Sequence, residues 1–334
     1  MLSMQDEDGG VWHKQTSDHF CPFIMPEKDT LISYVIGTGK EPFKSSCATG
    51  DFAAVMAIAA RVYKPFDGAY AQRCLMAAEK AWAWLEKNPS VTFRNPPGIT
   101  TGDYGDSHCD DEHFWAASEL ARTTHQPTYE TYFRDHYQSY RAATPSWPNV
   151  APLGLWTYVL GGGSNQDAVK SIRDDSITAA NEIVERSTQN GYRISLKTTD
   201  YIWGSNGVAA NYGMQLLVAN AMHPDARYVQ TALDNLHYLL GRNTFSLSYV
   251  TRVGANPFRH PHHRPSGADN NEEPWPGLLA GGPNHARQDP AMKSLPDLPP
   301  AKMYLDNQQS YATNEVAINW NAPLVFLLAG LLQK

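Results

Sequence analysis

Between Gly50 and Gly241 the apolar residues return every three or four positions, and that spacing commits most of the chain to helices packed on helices. Phe52, Val55, Met56, Ala59 and Val62 share one face; Cys74, Leu75, Ala78, Trp82 and Leu85 share the next. The same period predicts helices over 111–123, 129–142, 153–160, 167–187, 208–222 and 226–240, and a last one over 315–332. Asp225 stands where a cap is needed and Gly241 where a stop is needed. Nine helices with few convincing strands pack as antiparallel hairpins, whose natural closed form is an all-α toroid. With 334 residues, 42% of them hydrophobic, the chain can build one large core, and composition leaves a single helical barrel and two domains equally open.

The period fails over 242–304, which carries proline at ten positions. Irregular segments of that length inside compact domains are either functional or disordered. Trp275, four histidines and the Gly281-Gly282 turn favour an ordered, site-forming loop over a mobile linker.

The next stretch, 304–322 (YLDNQQSYATNEVAINWNA), sets Asp306 in a loop and Glu315 nine positions later, where the last apolar run begins. Tyr304, Tyr311 and Trp320 stand among them as flat aromatic faces. Two carboxylates beside aromatic platforms suit acid-assisted cleavage of a glycosidic bond, in which one acid holds a proton and sugar rings are gripped. Other readings exist for each residue. Glu315 in a first helical turn complements the helix dipole, Asp306 forms a loop turn, and the aromatics pack under the last helix.

The order aromatic-x-Asp, four residues, aromatic, three residues, Glu-x-Ala, three residues, Asn-Ala resembles the carboxyl-terminal signature of glycoside hydrolase family 9. Tyr304, Asp306, Tyr311, Glu315, Ala317, Asn321 and Ala322 fall on it. A second stretch, 248–264 (SYVTRVGANPFRHPHHR), resembles that family's other signature through Gly254, Asn256, Pro261, His262 and Arg264. Fainter likeness runs through Trp203-Gly204-Ser205-Asn206 and 102–115 back to Gly9-Gly10-Val11-Trp12-His13-Lys14, so it covers essentially the whole chain.

The resemblance implies an all-α (α/α)6 barrel, read here as one catalytic domain over 1–334. It also implies inverting hydrolysis of β-1,4-glucosidic bonds in cellulose or related β-glucans, with a β-1,4-glucan or cello-oligosaccharide as partner. Glu315 would be the general acid, with Asp306 and His262 supporting it. Arg264, Trp203, Tyr311 and Trp320 would bind substrate, although burial explains Trp203 equally well. At a helix start the dipole favours a charged Glu315, so desolvation by Tyr311 and Trp320 and repulsion from Asp306 must outweigh it. No cofactor is implied, except a structural calcium on Ser107, Asp111 and Glu112; the competing reading of those three is an ordinary helix cap. His260, His262 and His263 also raise a zinc reading, but no Cys or carboxylate lies at close ligand spacing.

Two elements of the family pattern are missing. Six hairpins need twelve helices, and the shortfall falls before residue 50; nor is there an Asp-Ala-Gly-Asp segment to supply the catalytic base. Asp103, in TTGDYGD, belongs to another region of the pattern. The expectation is therefore a chain lacking the N-terminal part of the barrel. The alternative function is a noncatalytic carbohydrate-binding member without its base.

Composition narrows the rest. A net charge of −7 with no basic block argues against nucleic acid. No run of 18 apolar residues exists to make a membrane helix. The opening MLSMQDEDGG is unlike a signal peptide, so an extracellular location for the parent protein follows from the resemblance alone. Cys21, Cys47, Cys74 and Cys109 show neither paired metal spacing nor a compact disulfide framework, and the redox compartment stays open.

Overall fold

Side-chain caps and alanine-rich faces set the helices. In the computed structural model, which describes residues 1–332, the Ser45 hydroxyl accepts from the Ala48 amide to open α1 (Ser46–Tyr63). Asp67 accepts from the Tyr70 amide to open α2 (Gly68–Leu85). There follow α3 (Asp110–Thr124), α4 (Pro127–His136), α5 (Ala151–Leu160), α6 (Gln166–Thr188), α7 (Ser205–Met222) and α8 (Ala226–Leu239). The single-turn helices α9 (Pro290–Lys293) and α10 (Tyr311–Asn314) precede α11 (Ile318–Leu332). Asp225 caps α8 and Gly241 follows it with φ +129°, as the sequence required. Strands β1 (Lys14–Thr16) and β2 (Tyr34–Ile36) form one antiparallel pair, Lys14 opposite Ile36. No described helix is long and apolar enough to cross a membrane.

The chain divides into two compact units. The first holds Met1–Phe20 and Thr30–Asp175. In it α1 packs against α2 and α3, and Phe52, Ala57, Ala78, Leu85, Ala117 and Leu120 are fully or almost fully buried. Close approach needs small residues: a Cβ added at Gly50 would lie 2.7 Å from that of Glu112 on α3. Cys47 and Cys109 form a disulfide that staples the start of α1 to the start of α3 across 62 positions. Sequence spacing gave no hint of this pairing, because helix packing rather than chain proximity brings the two sulfurs together.

The second unit holds Cys21–Asp29 and the chain from Ser176 onward. Here α7, α8 and α11 pack around Leu216, Leu239, Leu324 and Leu327. Burying a leucine side chain stabilises by roughly 1.5–3 kcal/mol over leaving it exposed. The irregular 242–304 segment is part of this core. Tyr249, Phe258, Leu279 and Ala280 are completely buried, and their backbone is paired: Ser248 N–H to Asn256 O (2.7 Å), Phe258 N–H to Ser248 O (2.9 Å), Ala280 N–H to Tyr249 O (2.9 Å). The ordered-loop expectation holds.

The helices expected from 129, 153 and 208 begin two or three residues earlier, at Pro127, Ala151 and Ser205, and two further boundaries differ for instructive reasons. The 129–142 α-helix ends at His136 and tightens into a 3-10 turn over Tyr137–Ser139, beyond which the chain is extended at Tyr140; Tyr137 and Tyr140 keep the apolar pattern by packing on Phe133 and Phe114. The last helix starts at Ile318, three residues later than expected, for the reason given below. The disulfide makes the first prediction. Replacing Cys47 and Cys109 by serine frees a 62-residue separation in the unfolded chain and should lower stability by about 2–4 kcal/mol, read from urea unfolding; an unchanged midpoint and slope would refute it.

Candidate active site around Glu315

Glu315 is not helical. Its backbone is extended (φ −57°, ψ 149°) between α10 and α11, because neighbouring segments claim its hydrogen bonds. The His262 amide donates to Asn314 O (2.8 Å), Gly281 to Glu315 O (2.9 Å) and Gly282 to Thr313 O (2.9 Å). Glu315 thus lies outside the first turn of α11, and the expected opposition between a helix dipole and a protonated acid does not arise.

The Glu315 side chain is partly buried, and its Oε2 accepts from Trp203 Nε1 at 2.9 Å. Burial raises its pKa above the ordinary carboxylate value; the Trp203 hydrogen bond and the Arg264 charge pull it back without cancelling the rise. Repulsion from Asp306, expected from the sequence, plays no part. Asp306 instead turns its two oxygens to the amides of Arg259 and His260, both at 2.9 Å, and so anchors the residues leading into His262.

His262 Nδ1 lies 2.7 Å from the Gln308 carbonyl. A carbonyl only accepts, so Nδ1 carries the proton and Nε2 keeps its lone pair in the neutral ring. Burial lowers the pKa of this histidine, which favours that neutral form. Its ring meets Tyr311 at 5.7 Å and Phe23 at 5.2 Å, both edge-on. Arg264 donates from Nε to the Cys21 carbonyl (2.7 Å), with its guanidinium 5.8 Å from the Phe23 ring centroid. Trp203 and Tyr311 face each other at 5.7 Å, tilted by 34°.

The structure therefore gathers Glu315, Trp203, Tyr311, His262 and Arg264, with Asp306 behind them. Trp320 has a different place: a Cβ at Gly204 or Gly207 would lie 2.6 Å from its indole, so it supports the turn that carries Trp203. Tyr304 is buried in the core at 5% exposure and offers no platform. The zinc reading finds no support among the described residues. His262 and His263 use Nδ1 on Gln308 and Ser266, and neither belongs to a close ligand trio.

Away from Glu315, the acids at the start of α3 are not a simple cap. Cys109 is the N-cap residue and makes no side-chain capping bond. Asp111 accepts from the Val150 amide (2.7 Å). Glu112 is 2% exposed, and burial with the charges of Asp111 and Asp51 pushes it up to about 10. Oxygens of Glu112, Asp51 and Asp106 are buried without partners. Ser107 is exposed, and the only described trio of ligand atoms within 4.8 Å is Cys47, Cys109 and Glu112, whose sulfurs are consumed in the disulfide.

Sequence reasoning missed two supports of the site. Asp289 is fully buried and accepts from the Met292 amide (2.7 Å), the Ala312 amide (2.9 Å) and the Ser310 hydroxyl (3.1 Å), holding the approach to Glu315. Its cap signature, Asp before Pro290, was present to be read. The Cys21–Phe23 contact with Arg264 spans 243 positions and left no local trace.

Comparison with known proteins places the chain in a family. The family model for glycosyl hydrolase family 9 matches residues 1–328. Endoglucanase D of Acetivibrio thermocellus is 40% identical over 337 residues, covering 99% of this chain and 51% of that protein. The xyloglucan-specific endo-beta-1,4-glucanase BoGH9A of Bacteroides ovatus is 39% identical, covering 99% of this chain and 58% of that protein. Among solved structures, GH family 9 endoglucanase J30 superposes with a TM-score of 0.93 at 38% identity, over 99% of this chain and 61% of that one. AaCel9A in complex with cellobiose-like isofagomine does so with a TM-score of 0.92 at 37% identity, over 100% and 63%. The chain spans about half the length of the curated relatives it matches. It shares with these neighbours the all-α (α/α)6 fold class expected from its sequence. Matched along its whole described length but for four residues, the chain belongs to glycosyl hydrolase family 9.

Proposed function

We propose that residues 1–334 are the acid-bearing portion of one catalytic domain that hydrolyses β-1,4-glucosidic bonds by inversion, with Glu315 as general acid. The observation that carries this reading is a half-buried carboxyl with a raised pKa, held by an indole N–H beside His262, Arg264 and Tyr311. Relatives named endoglucanase, xyloglucan-specific endo-beta-1,4-glucanase and cellodextrinase support a β-glucan or cello-oligosaccharide as substrate. The disulfide supports an oxidising, extracellular setting for the parent protein.

In this mechanism the Glu315 proton passes to the glycosidic oxygen as the bond from that oxygen to the anomeric carbon breaks. Inversion also requires a second carboxylate about 6.5–9.5 Å away to deprotonate the water that attacks the opposite face; we assign that role to no residue of this chain. Trp203 Nε1–H then stabilises the carboxylate left behind, since the bond it donates is strongest to the anion. His262 Nε2 and the Arg264 guanidinium meet sugar hydroxyls, while Asp306 keeps His262 in register. No cofactor enters these steps.

We further propose a structural calcium at Asp111 and Glu112. Their hard oxygens, with the partnerless ones of Asp51 and Asp106 in the same acidic cluster, suit such a cation by type. No three of these carboxylates have oxygens within 4.8 Å of one another among the described residues, and Ser107 is exposed, so the ion would have to draw them together. Bound there, the ion would take the place of the Glu112 proton.

Three outcomes are expected. In an enzyme that carries both carboxylates, Glu315→Gln should lower kcat on cello-oligosaccharides roughly 10²–10⁴-fold with little change in KM; a normal rate on substrates with poor leaving groups would overturn the assignment. Trp203→Phe removes the bond that favours the ionised acid, so the alkaline limb of the pH–rate profile should move to higher pH, and a limb that stays or moves down contradicts the pairing. For calcium, a chelator should lower the melting temperature and added calcium restore it; identical melts in both would remove the ion from the account.

A further inference from the structure

Residues 21–29 group with the second unit, although the chain on either side of them groups with the first. Their contacts fall on two of the proposed saccharide ligands. Phe23 presents its ring to the Arg264 guanidinium at 5.8 Å and meets the His262 imidazole edge-on at 5.2 Å and 88°. Two positions earlier, the Cys21 carbonyl holds Arg264 Nε at 2.7 Å. The fit is tight on the far side as well. A Cβ at Gly267 would lie 2.6 Å from Phe23 Cδ1 and 2.2 Å from Gln308 Nε2, and it is the Gln308 carbonyl that binds His262 Nδ1.

We propose that Phe23 is a positioning residue, whose ring fixes the His262 imidazole and Arg264 guanidinium in the orientation with which they meet a saccharide. The saccharide part rests on the glucan-hydrolase reading above; the positioning part does not. A phenyl face attracts a guanidinium through its quadrupole, and its perpendicular contact with the imidazole limits rotation of that ring. Arginine loses much side-chain freedom when it binds a ligand, so an arginine already held at Nε and over an aromatic face loses less. The segment therefore acts as a strap on the binding groups without itself carrying a proton in the reaction.

The test uses Phe23→Ala and Phe23→Tyr, with thermal melts to verify folding and Phe23→Leu in reserve to keep volume without the ring. Cellotetraose affinity is measured by calorimetry and the His262 titration by NMR. Arg264, Asp289 and the Gln308 carbonyl are the polar groups acting on that imidazole, alongside Phe23 and Tyr311. Phe23→Ala should weaken cellotetraose binding roughly tenfold. It should also let the His262 titration rise toward its ordinary value as burial is lost; Phe23→Tyr should restore both. An alanine variant with unchanged affinity and unchanged titration overturns the proposal, as does a tyrosine variant no better than alanine. If the unaltered protein binds no cellotetraose, the glucan reading fails, and the His262 titration alone decides whether Phe23 positions the ring.

Discussion

The site depends on a short seam of backbone hydrogen bonds in which 313–315 is pinned from both sides. His262 N–H reaches Asn314 O on one side, and Gly281 and Gly282 N–H reach Glu315 O and Thr313 O on the other. These bonds stop the chain from continuing helically out of α10, and so delay α11 to Ile318. They also place His262 and Glu315 opposite one another as bridge partners. A glutamate in a regular helix would have pointed according to the helical screw. Here its direction is set by a seam whose members come from three separate parts of the sequence, and each is anchored again: His260 by Asp306, Ala312 by Asp289, the Gly281 region by Trp320 packing.

Within that frame the two signature carboxylates have been given opposite environments. Asp306 accepts two backbone amides, one on each oxygen, and so is spent on holding the Arg259–His260 segment. Glu315 accepts one indole N–H and is otherwise desolvated. Two amide donors fix the first carboxylate to a loop, whereas the second keeps one oxygen for other partners and is raised by burial.

Helix periodicity in the sequence was a good guide wherever one element buries one face against another, as α1, α2 and α8 do, with caps that announce themselves at Asp67 and Asp225. It overran at Tyr137–Tyr140, because aromatic stacking preserves the apolar spacing after the helix has ended. It began α11 too early, because the bonds that hold Glu315 extended come from residues 262 and 281, which a local window does not contain. The signature residues were legible as a set. Their division of labour was not: Tyr304 and Trp320 look like sugar platforms in sequence, yet the first lies in the core and the second against a bed of glycines. The Cys47–Cys109 pair and the Phe23 contacts were invisible for the same reason, since only tertiary packing creates them.

A buried acid with a raised pKa is not by itself a proton donor, and this chain contains the comparison. Glu112 is raised further than Glu315, to about 10, and is 2% exposed. Folding must therefore take up a proton there above the unfolded value near 4.5. The native state binds more protons than the unfolded one, so stability from this group falls as pH climbs from that value towards about 10. Its Oε2 has no donor waiting to receive a negative charge. Losing the proton would leave an unsatisfied anion beside Asp111 and Asp51, which only a cation could repair. Glu315 differs on each point that matters for turnover. It is less sealed, it has an N–H already aimed at one carboxyl oxygen, and among the described residues the charge acting on it is that of Arg264, which is positive. Reversible proton transfer needs both states of the acid to be tolerable, and that criterion supports the proposal of Glu315, rather than the more strongly shifted Glu112, as the group that gives up a proton and regains it.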